Sequence, residues 1–363
     1  MAQRIVGVDI GSASIRAVEV EASSSPTPVV TRFHEIALPP GAVESGEVVQ
    51  VDTVASLLAE LWSKGGFRTK SVVLGVGNPR VLVRDLTVPR AGVQQIRDSL
   101  PFHVQDLLTV PVADAILDFY PVSEGTQDGV PVLHGLLVAA VKETVNAAIA
   151  AVRAAGLTPL DVDLIPFALV RLQARSLGGA TVALVDVGAR TTSVVVSVRG
   201  VPQFVRIIPT GGHDLTRALV DGLDVTEEAA EQIKRRVGLL EVPSAPPVSS
   251  SFGLLDARSH SDSDDAASAI IRDYVSDLLE GVRNTIRYFV GGHPDTTIDG
   301  VVLMGGGADL PGFRDALSEI TRLPVLVTNP FAGVRLSSAV QDTADENLTA
   351  MAVALGLVMG RAA

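Results

Sequence analysis

The residues best suited to chemistry lie in Arg4–Glu21, RIVGVDIGSASIRAVEVE. Ile5–Val8 is a short apolar strand that runs into Asp9. The chain then turns through Gly11, Ser12, Ala13 and Ser14 and returns as the alternating strand Ile15–Glu21, which is the pattern of a β-hairpin with a small-residue tip. Such a tip can hold an anion. Gly11 lets backbone N–H groups approach closely, Ser12 and Ser14 add hydroxyl donors, and Arg16 adds a fixed positive charge. Asp9, at the strand end, is placed to hold a hydrated Mg²⁺ that neutralises a di- or triphosphate.

One hairpin of this kind, taken alone, reads as a plain surface turn. A second copy, Ala183–Ser197, ALVDVGARTTSVVVS, changes that reading. With Asp186 set on Asp9, Gly188 falls on Gly11 and Thr191 on Ser14, and apolar strands flank both tips. Two copies imply two related halves facing one ligand. Further along, Gly211 and Gly212 precede a helix, and Thr226 is the N-cap of the next one, which carries Glu231, Lys234 and Arg235 on neighbouring turns. Without the hairpins, those three would be a solvated face with an i, i+4 ion pair. The strand Ile298–Met304 leads directly into Gly305, Gly306 and Gly307, which permit the close approach of a flat ring or a ribose, or else make a tight turn.

The elements that must position these residues alternate between strands and helices, an α/β pattern. Val29–Leu38 is a third strand. A helix opening at Asp52 or Thr53 is stopped by Gly65 and Gly66, and Ser71–Val76 is a buried strand. From Arg80 to Gly156 the order is strand, helix, strand, strand, helix, with no clustered acids, bases or nucleophiles, so this insertion is suited to contact rather than chemistry. Pro166 sits at the start of a helix that carries Phe167, Val170 and Leu172, and Ala22–Pro28 is a turn. Glu241–Ala267 is a long Pro-, Ser- and Asp-rich loop, a long amphipathic helix follows it, and Asn347–Val358 is an apolar helix that packs back on the core. The expected divisions are 1–79, first half; 80–156, insertion; 157–179, return and connecting helix; 180–345, second half; and 346–363, C-terminal helix.

The chain has 363 residues, 47% of them apolar, and a net charge of −12. No basic cluster stands out, which excludes the concentrated Lys and Arg that nucleic-acid binding requires. The absence of cysteine excludes disulfides, zinc–thiolate sites and thiol catalysis, and six scattered histidines show no metal-ligand spacing. The apolar runs Leu136–Val141 and Met351–Met359 fall short of the ~18 residues a membrane-spanning helix needs. The expectation is a cytoplasmic chain with no signal peptide and no basic amphipathic tail, whose membrane contact is indirect.

Taken in order, two Asp-x-Gly hairpins, a Gly-Gly turn before a Glu-x-x-Lys-Arg helix, and a strand–Gly-Gly-Gly–helix resemble the actin, Hsp70 and sugar-kinase ATPase superfamily over nearly the whole chain. The insertion narrows the resemblance to FtsA and to the PilM family of actin-like pilus assembly proteins. Val81–Pro89, Leu137–Glu143, Ala154–Pro159, Ile165–Leu169 and Asn329–Phe331 are similar to PilM in particular. The resemblance implies an actin-like ATPase fold, with ATP in a cleft between two related halves and an inserted FtsA/PilM-type subdomain. Asp9 and Asp186 would surround Mg²⁺ through water. Gly11, Ser12, Ala13, Ser14, Gly188, Thr191 and Thr192 would hold phosphate, and Arg16 stands where relatives carry Lys. Gly211, Gly212, Glu231, Lys234, Arg235, Gly305, Gly306 and Gly307 would line ribose and adenine.

No catalytic residue is assigned, because Pro166 and Phe167 stand where active relatives supply a polar group to orient water. ATP binding with slow or absent turnover is therefore expected. The family's partner is the N-terminal tail of PilN, which places the chain at the inner face of the cytoplasmic membrane through that partner; self-association is left open. The competing functions are an FtsA-like division protein and a sugar- or acetate-kinase-type phosphotransferase, for which Asp163 is the only acid near the right segment.

Overall fold

The computed structural model describes residues 4–21, 27–104, 107–108, 110–174, 176–239, 254–340 and 348–359. Two β-sheets share one winding. In the first, Arg4–Ile10, Ser14–Glu21 and Val29–Ala37 form an antiparallel meander. Ser71–Val76 and then Thr158–Leu164 extend it in parallel on the other side of Arg4–Ile10. In the second, Thr181–Val187, Thr192–Val198 and Val201–Ile208 repeat the meander, and Gly300–Met304 and Val325–Val327 repeat the parallel extension. The short strand Arg335–Leu336 returns from the second half and pairs with the edge of the first sheet at Val29 and Val30.

The period-2 alternation of the strands builds two layers of core on each sheet. Val6, Val8, Val72 and Leu74 face an outer core against helix Val51–Gly65, and Ala183, Val185, Val301 and Leu303 face another against the 39-residue helix Leu254–Gly292. The alternate residues, among them Ile5, Val18, Val73, Leu184, Val195 and Val302, turn inward to one shared core around helices Ile165–Ala174 and Ala352–Met359. That last helix is buried along its whole length. It can lie against the first strand because Gly7 has no side chain: a Cβ there would stand 1.9 Å from the Ala354 carbonyl oxygen.

The insertion is a three-stranded sheet in the order Leu82–Pro89, Val130–Val141, Ala115–Gln127, covered by helix Val93–His103 over a small core of Val88, Ile96, Leu100, Val104, Phe119 and Leu137. Its expected closing helix, Lys142–Ala154, belongs elsewhere. Ala151 and Val152 pack into the outer core of the first half, with Ala147, Ala148 and Ile149 against it, so the separate unit ends with the strand Val130–Val141. The insertion also touches both halves: Val81 and Leu136 are part of the shared core, and the Tyr120 ring lies 4.8 Å from that of Phe167 in the connecting helix.

The loop expected over Glu241–Ala267 is corrected at its C-terminal end. Residues 240–253 lie outside the described residues, but the long helix already begins at Leu254, and Ala267 is fully buried in its core. Ser and Asp along the early turns conceal the helical period that Ile271 onward makes plain. The C-terminal segment is a 3₁₀ turn, Leu348–Met351, followed by helix Ala352–Met359, and Asn347 lies outside the described residues, as do residues 22–26 of the expected turn. Among the described residues no helix is long and apolar enough to cross a membrane.

Candidate functional site

The two hairpin tips close identically. Gly11 N–H donates to the Ser14 carbonyl at 3.0 Å, and Gly188 N–H to the Thr191 carbonyl at 2.9 Å. Asp9 pairs with Arg16 across the first hairpin, and Asp186 with Ser193 across the second. Both tips open on one cleft of about 810 Å³ between the halves. Each tip is braced from outside: Leu38 N–H donates to the Ala13 carbonyl, and Gly46 N–H to Ser12 Oγ at 3.1 Å. Gly212 and His213 donate their N–H groups to the Gly188 and Ala189 carbonyls, so the start of helix Gly212–Leu223 holds the second tip in shape.

Asp9 and Asp186 line the cleft together. Burial pushes the Asp186 carboxyl up to about 7, the negative charge of Asp9 adds to this, and Arg16 opposes both. Burial also raises Asp9, again against Arg16, while Glu35 adds to the rise. The site therefore presents two carboxylates that resist ionising together unless a cation joins them. Among the described residues no three His, Cys, Asp or Glu side chains come close enough to hold a metal by themselves. That set fits Mg²⁺, which retains several waters and takes other ligands from phosphate rather than from an all-protein cage. Ser14 Oγ and Arg16 Nε are buried with no hydrogen-bond partner, two polar atoms left over at the first tip.

Toward the other end of the cleft, Glu231 accepts from Thr216 Oγ1 at 2.9 Å and from Arg235 Nε at 3.0 Å, and Lys234 Nζ lies 2.5 Å from it. Burial works against the Glu231 carboxylate, but Lys234, Arg235 and Thr216 outweigh it and hold the group below the usual carboxylate range. Lys234 also donates to the Gly212 carbonyl at 3.0 Å and to Thr216 Oγ1 at 2.8 Å. Gly305 turns the chain with φ +82°, and a Cβ there would sit 2.5 Å from Asp186 Oδ1, so the third glycine loop and the second aspartate touch directly. Nothing stands within 4 Å of a Cβ on Gly306, which leaves its backbone face open.

Of the residues that the sequence assigns to the nucleotide and the metal ion, all but Thr192 line this cleft. Thr192 is fully buried, and its hydroxyl donates to the Thr210 carbonyl at 2.8 Å. Its neighbour Ser193, which stands opposite Asp186, faces the cleft in its place. In the connecting segment the cleft is reached by Ile165 rather than by Pro166 or Phe167, which are buried. The position remains apolar. Sequence reasoning missed Glu35, Ser193, Arg190, His213, Tyr274 and Asp309, all of which line the cleft. Ser193 was available from antiparallel register across its own tip; the Tyr274 hydroxyl, which donates to the Gly211 carbonyl at 2.7 Å, comes from a helix 63 residues away.

Asp163, the one acid suggested as a phosphotransfer base, does not line the cleft. It is ion-paired and hydrogen-bonded to Arg171, in the second turn of the connecting helix.

The family described as "Type IV pilus assembly protein PilM" matches residues 7–242, well over half of the chain. The chain belongs to the PilM family. Cell division protein FtsA matches residues 183–356 of this PilM-family chain, the second half. FtsA of Bacillus subtilis is 23% identical over 91% of the chain and 80% of its own length, and FtsA of Pseudomonas aeruginosa 24% identical over 93% and 86%. Among solved structures, a PilM-PilN type IV pilus biogenesis complex superposes with a TM-score of 0.80 at 25% identity, covering 99% of this chain and 98% of that one. MreB5 of Spiroplasma citri bound to AMPPNP superposes at 0.54 with 10% identity over 99% and 96%. The fold is that of the actin-like ATPases, as the paired hairpins implied.

Proposed function

We propose that this PilM-family chain is a nucleotide-binding scaffold of type IV pilus or related secretion assembly, holding ATP with Mg²⁺ between its halves and docking the N-terminal tail of a PilN-type partner. The observation that carries the reading is the pair of identically closed tips, each with its aspartate, facing one cleft. Asp9 and Asp186 would hold the hydrated ion. The backbone N–H groups and hydroxyls of Gly11–Ser14 and Gly188–Thr191 would bind phosphate oxygens, with Ser14 Oγ gaining the partner it lacks. Glu231 and the Gly305–Gly307 loop would hold the nucleoside. The ion's contribution is charge neutralisation of the phosphates.

Turnover is expected to be slow or absent. Orienting an attacking water requires a polar group near the phosphate, and the connecting segment offers only Ile165. Binding energy is then available to change the relation of the halves rather than to drive chemistry. The insertion, which touches both halves, would carry that change to a docked peptide. It leaves Val93 and Phe102 of its helix and Ile116 of its edge strand exposed, apolar side chains suited to a short peptide. A solved PilM-PilN complex with this fold supports the choice of partner. Attachment to the membrane would follow from that partner.

The phosphotransferase alternative loses support because Asp163 is tied to Arg171 outside the cleft. The FtsA-like alternative is favoured by the match over residues 183–356, and is distinguished by direct membrane binding. The test measures ATP–Mg²⁺ binding and turnover on one sample, with Asp9→Ala as control, with and without the PilN N-terminal peptide. Micromolar binding, negligible turnover and a peptide affinity that changes with nucleotide are expected. Brisk hydrolysis that Asp186→Ala abolishes would overturn the scaffold reading, and absence of binding would overturn the nucleotide reading.

A further inference from the structure

Arg16 lies in the middle of a row of three charges that runs straight across the first sheet. Its backbone pairs with Asp9 on one neighbouring strand and with Glu35 on the other. Residues directly opposite one another on adjacent strands put their side chains on the same face, so the three emerge together into the cleft. The guanidinium is committed to that row: Nη2 lies 2.9 Å from Glu35 Oε1, and Nη1 lies 3.7 Å from Asp9 Oδ2. It also passes close beneath the tip, since a Cβ on Gly11 would stand 3.9 Å from Nη1.

The second half has no such row. The same three register positions are Asp186, Ser193 and Ile207. Arg16 and Glu35 are thus a pair added to one half only, and Glu35 is the member that no phosphate-binding role explains. A carboxylate at the phosphate end of a nucleotide cleft works against the ligand.

The charges near the two tips show what it does instead. Asp9, Glu35 and Asp186 stand against Arg16 and Arg190, and Lys234 and Arg235 farther along are both paired with Glu231. Of the two cations at the tips, Arg16 is held by carboxylates, whereas Arg190 has no carboxylate within 4 Å among the described residues. A polyphosphate entering this end meets three acidic side chains against two arginines, and the cation nearest the first tip is already held by two of those acids.

We propose that Glu35 is a positioning residue that holds Arg16 against the sheet, away from phosphate oxygens, and so makes nucleotide binding in this chain depend on a divalent cation. The proposal rests on the nucleotide reading above. Arg16 is then the standing counter-charge of Asp9 and Glu35, and neutralising the phosphates falls to the ion. If Gln replaces Glu35, an acceptor oxygen of the same reach remains but the charge is lost. The guanidinium is then released to make a charge-assisted pair with phosphate, an interaction worth about tenfold or more in affinity.

The test uses the full chain as wild type, Glu35→Gln, and Glu35→Gln combined with Arg16→Met. Fluorescent ATP and ADP analogues are titrated at equilibrium in Mg²⁺ and in excess EDTA, and thermal melting without nucleotide verifies each variant's fold. The expected result is that Glu35→Gln raises Mg²⁺-free affinity by about tenfold and shrinks the ratio of affinities with and without Mg²⁺ by the same factor. The double variant is expected to lose that gain. A merely structural Glu35 would shift both affinities together and leave their ratio alone. Wild type and Glu35→Gln both binding with an unchanged ratio would overturn the proposal, as would a gain that survives Arg16→Met. If neither binds nucleotide under any condition while both melt cooperatively, the nucleotide reading itself is overturned. Should Glu35→Gln fail to fold, Glu35→Asp, one methylene shorter, is expected to shift the ratio in the same direction by less, and an unchanged ratio there is equally fatal.

Discussion

Replacing Asp186 by Asn should stabilise the nucleotide-free protein at neutral and mildly alkaline pH. Folding raises this carboxyl from 3.8 to about 7, chiefly by burial and then by the charge of Asp9. The folded state therefore keeps a proton that the unfolded chain has already released. The contribution is fully present below about pH 4, falls as pH rises toward about 7, and is absent above that. At about 1.4 kcal/mol per pH unit the shift corresponds to an upper bound of about 4 kcal/mol, and partial solvent access reduces the expected value to about 2 kcal/mol. Asn is neutral throughout and nearly the same shape, so it removes the pH dependence. Urea unfolding of wild type and Asp186→Asn at pH 5 and pH 8, without nucleotide, gives the readout. The variant should be more stable by somewhat under 1 kcal/mol at pH 5, and by about 2 kcal/mol at pH 8. In ATP and Mg²⁺ the order should reverse, because the wild type alone gains ligand stabilisation. A variant less stable than wild type at pH 8 without ligand would show that the Asp9–Asp186 pair carries no electrostatic strain.

Three further outcomes follow from the geometry. Thr192→Val should lower stability by about 1–2 kcal/mol, since the Thr210 carbonyl loses its buried donor, yet change nucleotide affinity less than twofold; thermal melting and titration on one sample separate the effects. Gly305→Ala should cost about 2–3 kcal/mol and weaken ATP–Mg²⁺ binding by more than tenfold, because the loop must leave φ +82° and move off Asp186. Tyr120→Ala removes the ring contact with Phe167, worth about 1 kcal/mol, and should leave nucleotide affinity intact while abolishing the dependence of peptide docking on nucleotide, as read by fluorescence anisotropy.

The tips were legible because their chemistry is local: the order Asp, Gly, small hydroxyl residue fixes both the turn and the ligand class, and a second copy at matched spacing fixes the existence of two halves. What failed involved choices that local pattern does not make. A Thr-Thr pair suggests two phosphate-facing hydroxyls, but consecutive strand residues face opposite sides, and pairing with Asp186 puts Ser193 in the cleft and Thr192 beneath it. Helix Lys142–Ala154 shows its apolar stripe plainly, yet nothing in the stripe says that it joins the core of helix Val51–Gly65 rather than the insertion that precedes it. Glu35 reaches the site only through the register of the third strand, which includes a bulge between Glu19 and Val20 that a one-dimensional reading cannot place. Tyr274 enters from the middle of a helix whose early turns hide its period in Ser and Asp.

The central claim is that two hairpins 177 positions apart, from Asp9 to Asp186, serve one ligand. Amide hydrogen exchange of the full chain with and without ATP–Mg²⁺ tests this directly. The account predicts that protection rises together at Gly11–Ser14, Gly188–Thr191 and Gly305–Gly307, and that Asp9→Ala removes the increase at all three. Protection confined to one hairpin, or none at either, would contradict it.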